Sequence, residues 1–153
     1  MKEPADRHYI VRNRKARHDY EIKDIYEAGI SLVGSEVKSL REGKVNLAAA
    51  YAAVENGEVI LKNLHISPFK MARENHDPIR PRRLLLHKKE IRKLFTATEQ
   101  KGLTLVPLGI YFRNNLVKIE LAVAVGRKKY DKRQAISEAE AERRIKQALR
   151  KDI

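Results

Sequence analysis

Apolar and polar residues alternate in the second half of the chain, and this alternation predicts two long strands. Residues 103–112 and 116–125 are separated by a short polar turn. In the second segment, apolar side chains at every other position alternate with Lys118, Glu120 and two alanines. Because successive side chains of a strand point to opposite faces, one face is predicted to be buried and the other to carry charge.

Two further patterns predict strands in the first half. Residues 51–61 contain Asn56-Gly57 between strand-forming residues, which indicates a hairpin, since both central residues of a type I′ turn need positive φ. Residues 20–33 carry apolar residues whose phase shifts near Gly29. This shift predicts a strand bent by a bulge at the glycine.

The remaining periodic segments are helical. A helix of one or two turns is predicted to begin at Gly34-Ser35, which offers an N-cap, and to stop at Gly43. The main helix is predicted over residues 84–101, where apolar residues recur at helical spacing before Gly102. Residues 67–83, which contain three prolines, are predicted to form a loop that is long for a compact domain.

Five or six short antiparallel strands with one substantial inserted helix predict a mainly β (α+β) fold. Closure into a barrel is the usual way for such strands to avoid exposed edges, so a small barrel of the oligonucleotide-binding type is favoured. Periodicity alone does not distinguish this barrel from a β-sandwich. The predicted organisation is a basic N-terminal arm (1–17), the barrel domain (18–125) and a basic C-terminal tail (126–153) with helical potential.

Charge narrows the function to polyanion binding. The 153 residues contain 33 Lys and Arg against 20 Asp and Glu, a net charge of +13, and 42% hydrophobic residues indicate a real core beneath that charge. The chain has no Cys, no signal-peptide pattern and no apolar stretch near the ~20 residues needed to span a bilayer. These features predict a cytoplasmic, nucleic-acid-binding protein that does not act at a membrane.

The sequence offers no catalytic constellation. Its five histidines lie at wide, irregular spacings, and the single close His–carboxylate step is His76-Asp77, whose adjacent side chains rarely converge on one ligand. No phosphate-binding loop, nucleophile elbow or dinucleotide fingerprint is present. We therefore expect neither enzyme activity nor a metal or other cofactor.

A dense run of cations is the best candidate for a binding surface. Seven cations fall within fourteen positions, opposed by Glu90 alone: Arg80, Arg82, Arg83, Lys88, Lys89, Arg92 and Lys93. Their mutual repulsion is relieved if phosphate binds, although a purely solvated face is the alternative. Tyr and Phe total only nine, so recognition of a folded RNA is favoured over stacking along unpaired bases.

A series of motifs then points to a family. They are NRKARHDY at 13–20, EAGI at 27–30, GSEVKSLR at 34–41, HISP at 65–68, RRLLLH at 82–87, KGLTLVPL at 101–108 and YDKR at 130–133. Together they resemble the bacterial small protein B family, the partner of transfer-messenger RNA. The resemblance covers residues 13–133.

The resemblance implies an oligonucleotide-binding-type barrel with three helices and a role in ribosome rescue. Family members bind the tRNA-like domain of transfer-messenger RNA and bring it to ribosomes stalled on truncated message, where it adds a peptide tag. The residues that match the family's RNA contacts are Glu27, Leu85 and Lys118, with Arg82, Arg83 and Lys89 as basic neighbours. The implied partners are that RNA, small-subunit ribosomal RNA and, through the RNA, elongation factor Tu and alanyl-tRNA synthetase, with the protein acting as a monomer.

Each matched residue also has a physical reading. Lys118 lies on the charged face of its strand, where it could meet phosphate or pair with Glu120. Three consecutive leucines cannot all face one core, so one of residues 84–86 is predicted to point outward and cover a base or ribose. Glu27 could accept hydrogen bonds from base amino or 2′-OH groups, or pair with a nearby arginine.

The tail carries the second half of the implied function. By resemblance, one segment enters the decoding centre and the following residues become helical in the empty message channel. The decoding-centre segment is Gly126, Arg127, Lys128, Lys129, Tyr130, Asp131, Lys132 and Arg133. A capping box at Ser137 and Glu140 suits a helix that forms on binding, and we expect Tyr130 to stack on a base. Competing functions are a cold-shock-like barrel with no dedicated RNA and a basic nuclease.

Overall fold

We describe a computed structural model of the chain that covers residues 7–126 and 143–144. Its main part contains nine strands and three helices. The strands are β1 (Arg7–Arg12), β2 (Tyr20–Ile30), β3 (Val45–Asn46), β4 (Tyr51–Glu55), β5 (Glu58–Lys62), β6 (His65–Ile66), β7 (Arg82–Leu85), β8 (Thr104–Arg113) and β9 (Leu116–Gly126). The helices are α1 (Arg14–Asp19), α2 (Gly34–Arg41) and α3 (Lys88–Glu99).

Six strands form a closed ring of antiparallel pairings. Their order is β8-β4-β5-β7-β2-β9, and β9 pairs back to β8. Strand β1 pairs with β8 beside this ring, and β3 pairs with β6 as a separate short ribbon. The mainly β class with an oligonucleotide-binding-type barrel and three helices is confirmed. Closure removes the free edges that short strands would otherwise expose.

The core fills the ring with aliphatic side chains. Val59, Leu61, Leu105, Ile119 and Leu121 are buried in one cluster. Helices α2 and α3 contribute one fully buried leucine each, Leu40 and Leu94. The alternation of the strands therefore has its predicted result, with every second side chain directed into the ring.

The first part of the chain differs from the prediction of an arm over 1–17. Arg7–Arg12 is β1, and Arg14–Asp19 is α1. Asn13 caps this helix by accepting a hydrogen bond from the Ala16 N–H (3.2 Å). Ala16 is buried in a second apolar cluster with Val106, Leu108, Ala122 and Ala124. Because α1 covers the outer side of the ring there, both faces of β9 are buried near its end, against the prediction of one charged face.

Local geometry confirms both predicted hairpins, but it corrects the position of the bulge in β2 and the first residue of the main helix. Asn56 and Gly57 have φ of 50° and 76°, and the two asparagines between β8 and β9 also have positive φ. The β2 register shifts between Ile22 and Asp24, so the predicted bulge at Gly29 is wrong by six positions. The predicted helix over 84–101 begins only at Lys88, because the residues before it extend the sheet as β7.

Glu36 anchors the proline-containing loop to the barrel. Its carboxylate accepts hydrogen bonds from Arg80, from Arg82 and from the Val33 N–H. The N-cap of α2 is therefore Val33, one residue before the predicted Gly34-Ser35 cap. Burial opposes ionisation of Glu36, but these hydrogen bonds outweigh it and hold its pKa below the ordinary value. His76 completes the anchor, bonded to Ser35 (2.9 Å) and to the Ile66 carbonyl (2.8 Å).

Candidate nucleic-acid interface

Three neighbouring strands bring most of the predicted RNA-binding residues onto one face. On β2, Gly29 pairs with Lys118 of β9 on one side and with Leu85 of β7 on the other. Directly paired residues share a face, and residues two apart on a strand share it as well, so Glu27 and Arg83 lie there too. We call these five residues the outer strand face.

Gly29 keeps the middle of this face flat. A Cβ atom placed on Gly29 would lie 3.2 Å from the Leu85 Cβ, so any side chain there would press on Leu85. Leu85 is 49% exposed, whereas Leu84 on the opposite side of the strand is buried. The prediction that one leucine of the triplet points outward is therefore confirmed, and Leu85 presents apolar surface beside a bare stretch of backbone.

Lys118 is the cation of the outer strand face that lies directly beside Gly29. Within residues 7–126 and 143–144 no ion pair involves Lys118. Glu120, its alternative partner, instead accepts a hydrogen bond from the Tyr9 hydroxyl (2.7 Å) and pairs with Arg7 (3.3 Å) and Arg17 (3.7 Å). The Lys118 ammonium is thus available to an external anion.

Glu27 is held by two arginines. Its carboxylate accepts hydrogen bonds from Arg113 at 2.9 and 3.0 Å and from Arg7 at 3.3 Å. Burial opposes ionisation, but the Tyr111 hydroxyl and the two guanidinium groups outweigh it and lower the Glu27 pKa. The arginine-partner alternative for Glu27 is therefore what the structure shows. Such a carboxylate is ionised and fixed in orientation, and its remaining lone pairs can accept from RNA.

Two tyrosines from β1 and β8 pack beside these charged groups. Tyr111 is fully buried, with the Tyr9 ring centroid 5.2 Å from its own and the Arg7 guanidinium 4.6 Å above it. Burial, followed by the neighbouring Glu27, raises the Tyr111 pKa, so the phenol stays protonated. Sequence reasoning missed Arg7, Tyr9 and Arg113 because it assigned the first two to an arm and the third to a turn. These three residues reach the site through strand pairing and long-range contacts, so no local sequence pattern indicates them.

The adjacent residue Arg82 does not belong to this face. Its side chain is fully buried and bonds Glu36, the Leu64 carbonyl (2.7 Å) and the Pro78 carbonyl (3.2 Å). The expectation that Arg82 contacts RNA is wrong for this structure, since it has no exposed surface to offer. Lys89 is exposed in the first turn of α3, four residues after Leu85 at the end of β7.

Comparison with known proteins identifies the family. The family model described as SmpB protein matches residues 10–151 of this chain. The chain belongs to the SmpB family. Among curated SmpB-family relatives, the SsrA-binding protein of Halothermothrix orenii is 61% identical over 92% of both chains. That of Clostridium acetobutylicum is 52% identical over 97% of both.

A solved structure agrees at the level of fold. A chain from a structural study of tmRNA-SmpB at the centre of the bacterial ribosome superposes with a TM-score of 0.67 and 50% identity, covering 86% of this chain and 95% of that one. The SmpB-family resemblance that the motifs carried is thereby confirmed.

Of the predicted decoding-centre segment, residues 126–133, the structure describes Gly126 alone. Gly126 is the exposed last residue of β9 and pairs with Tyr20 at the start of β2. The rest of the predicted decoding-centre segment, residues 127–133, lies outside the described residues.

In the part of the chain that is described, no three His, Asp or Glu side chains converge to hold a metal ion, and no helix is long and apolar enough to cross a membrane.

Proposed function

We propose that this chain is a non-enzymatic adaptor that binds the tRNA-like domain of transfer-messenger RNA and delivers it to stalled ribosomes for trans-translation. The relatives named SsrA-binding protein and the solved tmRNA-SmpB chain support this function. The observation that carries it is the register of three strands that sets Leu85, Gly29 and Lys118 side by side. This row combines apolar surface, open backbone and an unpaired cation.

Each residue of the outer strand face has a distinct task in this proposal. Lys118 neutralises a backbone phosphate, which positions the RNA without reading its sequence. Leu85 covers a ribose or base over Gly29. Glu27 accepts hydrogen bonds from 2′-OH or base amino groups, which distinguishes a particular RNA shape from general phosphate binding. Arg83, half exposed beside Glu58 (3.4 Å), and Lys89 add positive charge around the row.

The tail and the wider assembly complete the proposal. Residues 126–133 enter the decoding centre, and the following residues become helical in the empty message channel, bringing small-subunit ribosomal RNA into contact with the protein. The RNA in turn connects the adaptor to elongation factor Tu and alanyl-tRNA synthetase. The adaptor acts as a monomer, in the cytoplasm, where these partners are.

The test is the salt dependence of binding to a labelled tRNA-like domain of transfer-messenger RNA. Lys118→Ala should weaken binding and reduce the slope of log affinity against log salt by roughly one phosphate's worth, about 0.9. Leu85→Ala should weaken binding by about three- to tenfold with no change in slope, because it removes only apolar contact. The measurement is a titration at four or more salt concentrations.

The matched control is Lys70→Ala, which removes the same charge from an exposed position in the proline-containing loop. It should leave both affinity and slope close to those of the parent chain. An unchanged slope for Lys118→Ala, or an equal effect of Lys70→Ala, would remove Lys118 from the phosphate contacts. Equally tight binding to an unrelated transfer RNA would support the cold-shock-like alternative.

A further inference from the structure

A groove lies between the first half of β2 and helix α3, separate from the outer strand face. It has a volume of about 450 Å³, which is in the usual size range of ligand pockets. Its floor is apolar and includes the ring of Tyr26 together with Leu103 and Val123. Tyr26 lies one residue before Glu27 on β2, so it belongs to the opposite face of the sheet.

The groove has two walls that the fold produces locally. On one side, the β2 register shift between Ile22 and Asp24 makes Lys23 an extra residue, and such bulges turn side chains toward neighbouring sites. On the other side, successive turns of α3 contribute Arg92, Lys93 and Thr96. The bulged part of β2 and the middle turns of α3 therefore form the two sides of the groove.

The rim of the groove is cationic, and most of this charge is not neutralised. In the described part of the chain, no ion pair involves Arg92, Lys93 or Lys101. Lys23 pairs with Glu21 at an exposed position (2.9 Å). Asp24 is the one acid in the lining, and its carboxylate already accepts from the Ile25 N–H (2.9 Å).

We propose that this groove binds an unpaired nucleotide of a folded RNA. The base stacks on Tyr26 and covers Leu103 and Val123, while the adjoining phosphates meet Arg92, Lys93 and Lys101. Asp24 accepts from an exocyclic amino group. The inference rests on the proposed RNA-binding function, but it assigns a second site that does not use the outer strand face.

Charge favours RNA over the chain's own acidic segment as the occupant. Residues 134–142 contain three glutamates and no cation, which would suit the rim. However, they lie between cation-rich stretches, and residues 126–153 as a whole carry ten Lys or Arg against five acids. Docking this segment would bring more positive charge to a rim that is already positive. A phosphate also relieves the repulsion between Lys89 and Lys93, four residues apart on α3.

The experiment uses the full chain and a single-stranded, adenine-rich RNA hexamer with one central 2-aminopurine, whose fluorescence reports stacking. Thr96→Phe should fill the groove without altering charge, weaken binding by about tenfold and abolish the fluorescence change. Arg92→Ala with Lys93→Ala should weaken binding to a similar degree. The charge-matched control, Lys70→Ala with Arg73→Ala, should change affinity by less than about twofold.

The groove proposal would be overturned by parent and Thr96→Phe chains that give the same signal, by absence of any signal with the parent, or by a blunt RNA duplex that binds with the same dependence on Thr96. Displacement of the hexamer by a peptide of residues 134–142 would assign the groove to the tail and overturn it too. Lys118→Ala should leave the hexamer signal unchanged. Thus, failure of the tRNA-like domain to bind, with the hexamer signal intact, would reject the proposed function alone.

Discussion

Two adjacent arginines on β7 have opposite surroundings, although they stand side by side in one cationic run. Arg82 pairs with Leu61 of β5 and points into the ring, whereas Arg83 pairs with Ile60 and points outward. The alternation of a strand, which charge composition does not reveal, decides which arginine can meet RNA. Arg82 is then tolerated inside because Glu36 and two carbonyls satisfy its guanidinium.

This difference predicts that the same substitution, Arg→Met, lowers stability much more at position 82 than at position 83. Arg82→Met should lower the free energy of unfolding by about 3 kcal/mol, because it leaves the buried Glu36 carboxylate with Arg80 as its remaining ion-pair partner. Arg83→Met should change stability by less than about 1 kcal/mol, since its ion pair with Glu58 is half exposed. Urea unfolding of both variants measures the two values.

RNA affinity supplies the complementary readout for this pair. Arg83→Met should weaken binding and reduce its salt dependence, whereas Arg82→Met, measured at a temperature at which it is folded, should bind as the parent chain does. Similar losses of stability for the two variants would contradict the assignment of opposite faces.

Elements that depend on neighbouring residues were predictable, and elements that depend on distant partners were not. The hairpin at Asn56-Gly57 and the one between β8 and β9 are determined by turn residues, and both were predicted. Strand β1 exists because it pairs with β8, about a hundred residues away, and six residues are too few to show a period. Strand β7 was missed because it is defined by pairing with β2 and β5, and its leucines were read as the start of α3.

The candidate site divides in the same way. Alternation along β9 placed Lys118 on the polar face, and the leucine triplet implied one exposed leucine. No local pattern could show that Gly29 lies between Lys118 and Leu85, because the row is made by pairing among β7, β2 and β9. Nor could it name Arg7 and Arg113 as the partners of Glu27, since these arginines come from opposite ends of the domain.

Helix α1 offers a test of how firmly the first element is built into the barrel. Asn13 accepts from the Ala16 N–H, and its amide donates to the Pro107 carbonyl (3.2 Å). Asn13→Ala should therefore lower the free energy of unfolding by about 1–2 kcal/mol, as the loss of a helix cap does. Arg14→Ala, at the exposed first position of the same helix, should cost less than about 0.5 kcal/mol.

Thermal or urea unfolding decides this test. If the two variants unfold alike, α1 would behave as the loosely attached arm that the sequence alone suggested. Hydrogen exchange of residues 14–19 in the parent chain provides an independent check, because a capped and packed helix exchanges more slowly than a frayed segment.

The positive charge of the whole molecule is divided between two regions. Residues 126–153 hold +5 of the net +13, and the barrel and its N-terminal elements hold the remaining +8. Within the barrel, the outer strand face and the groove beside α3 lie on opposite faces of β2. A protein that must contact more than one RNA surface benefits from separated cationic regions, because each can bind its own segment of backbone.

A chain that ends at Gly126 tests this division directly, since it keeps all nine strands and removes the tail. It should retain most of its affinity for the tRNA-like domain and lose peptide tagging on ribosomes stalled on truncated message, because residues 127–133 of the proposed decoding-centre segment are gone. The measurements are a binding titration and tag addition in a reconstituted translation reaction.

A full-length chain with residues 127–153 in scrambled order keeps the charge and serves as the control. That control should bind ribosomes through charge and still fail to support tagging. Equal loss of RNA affinity and tagging on truncation, or full tagging by the scrambled chain, would contradict the two-part division.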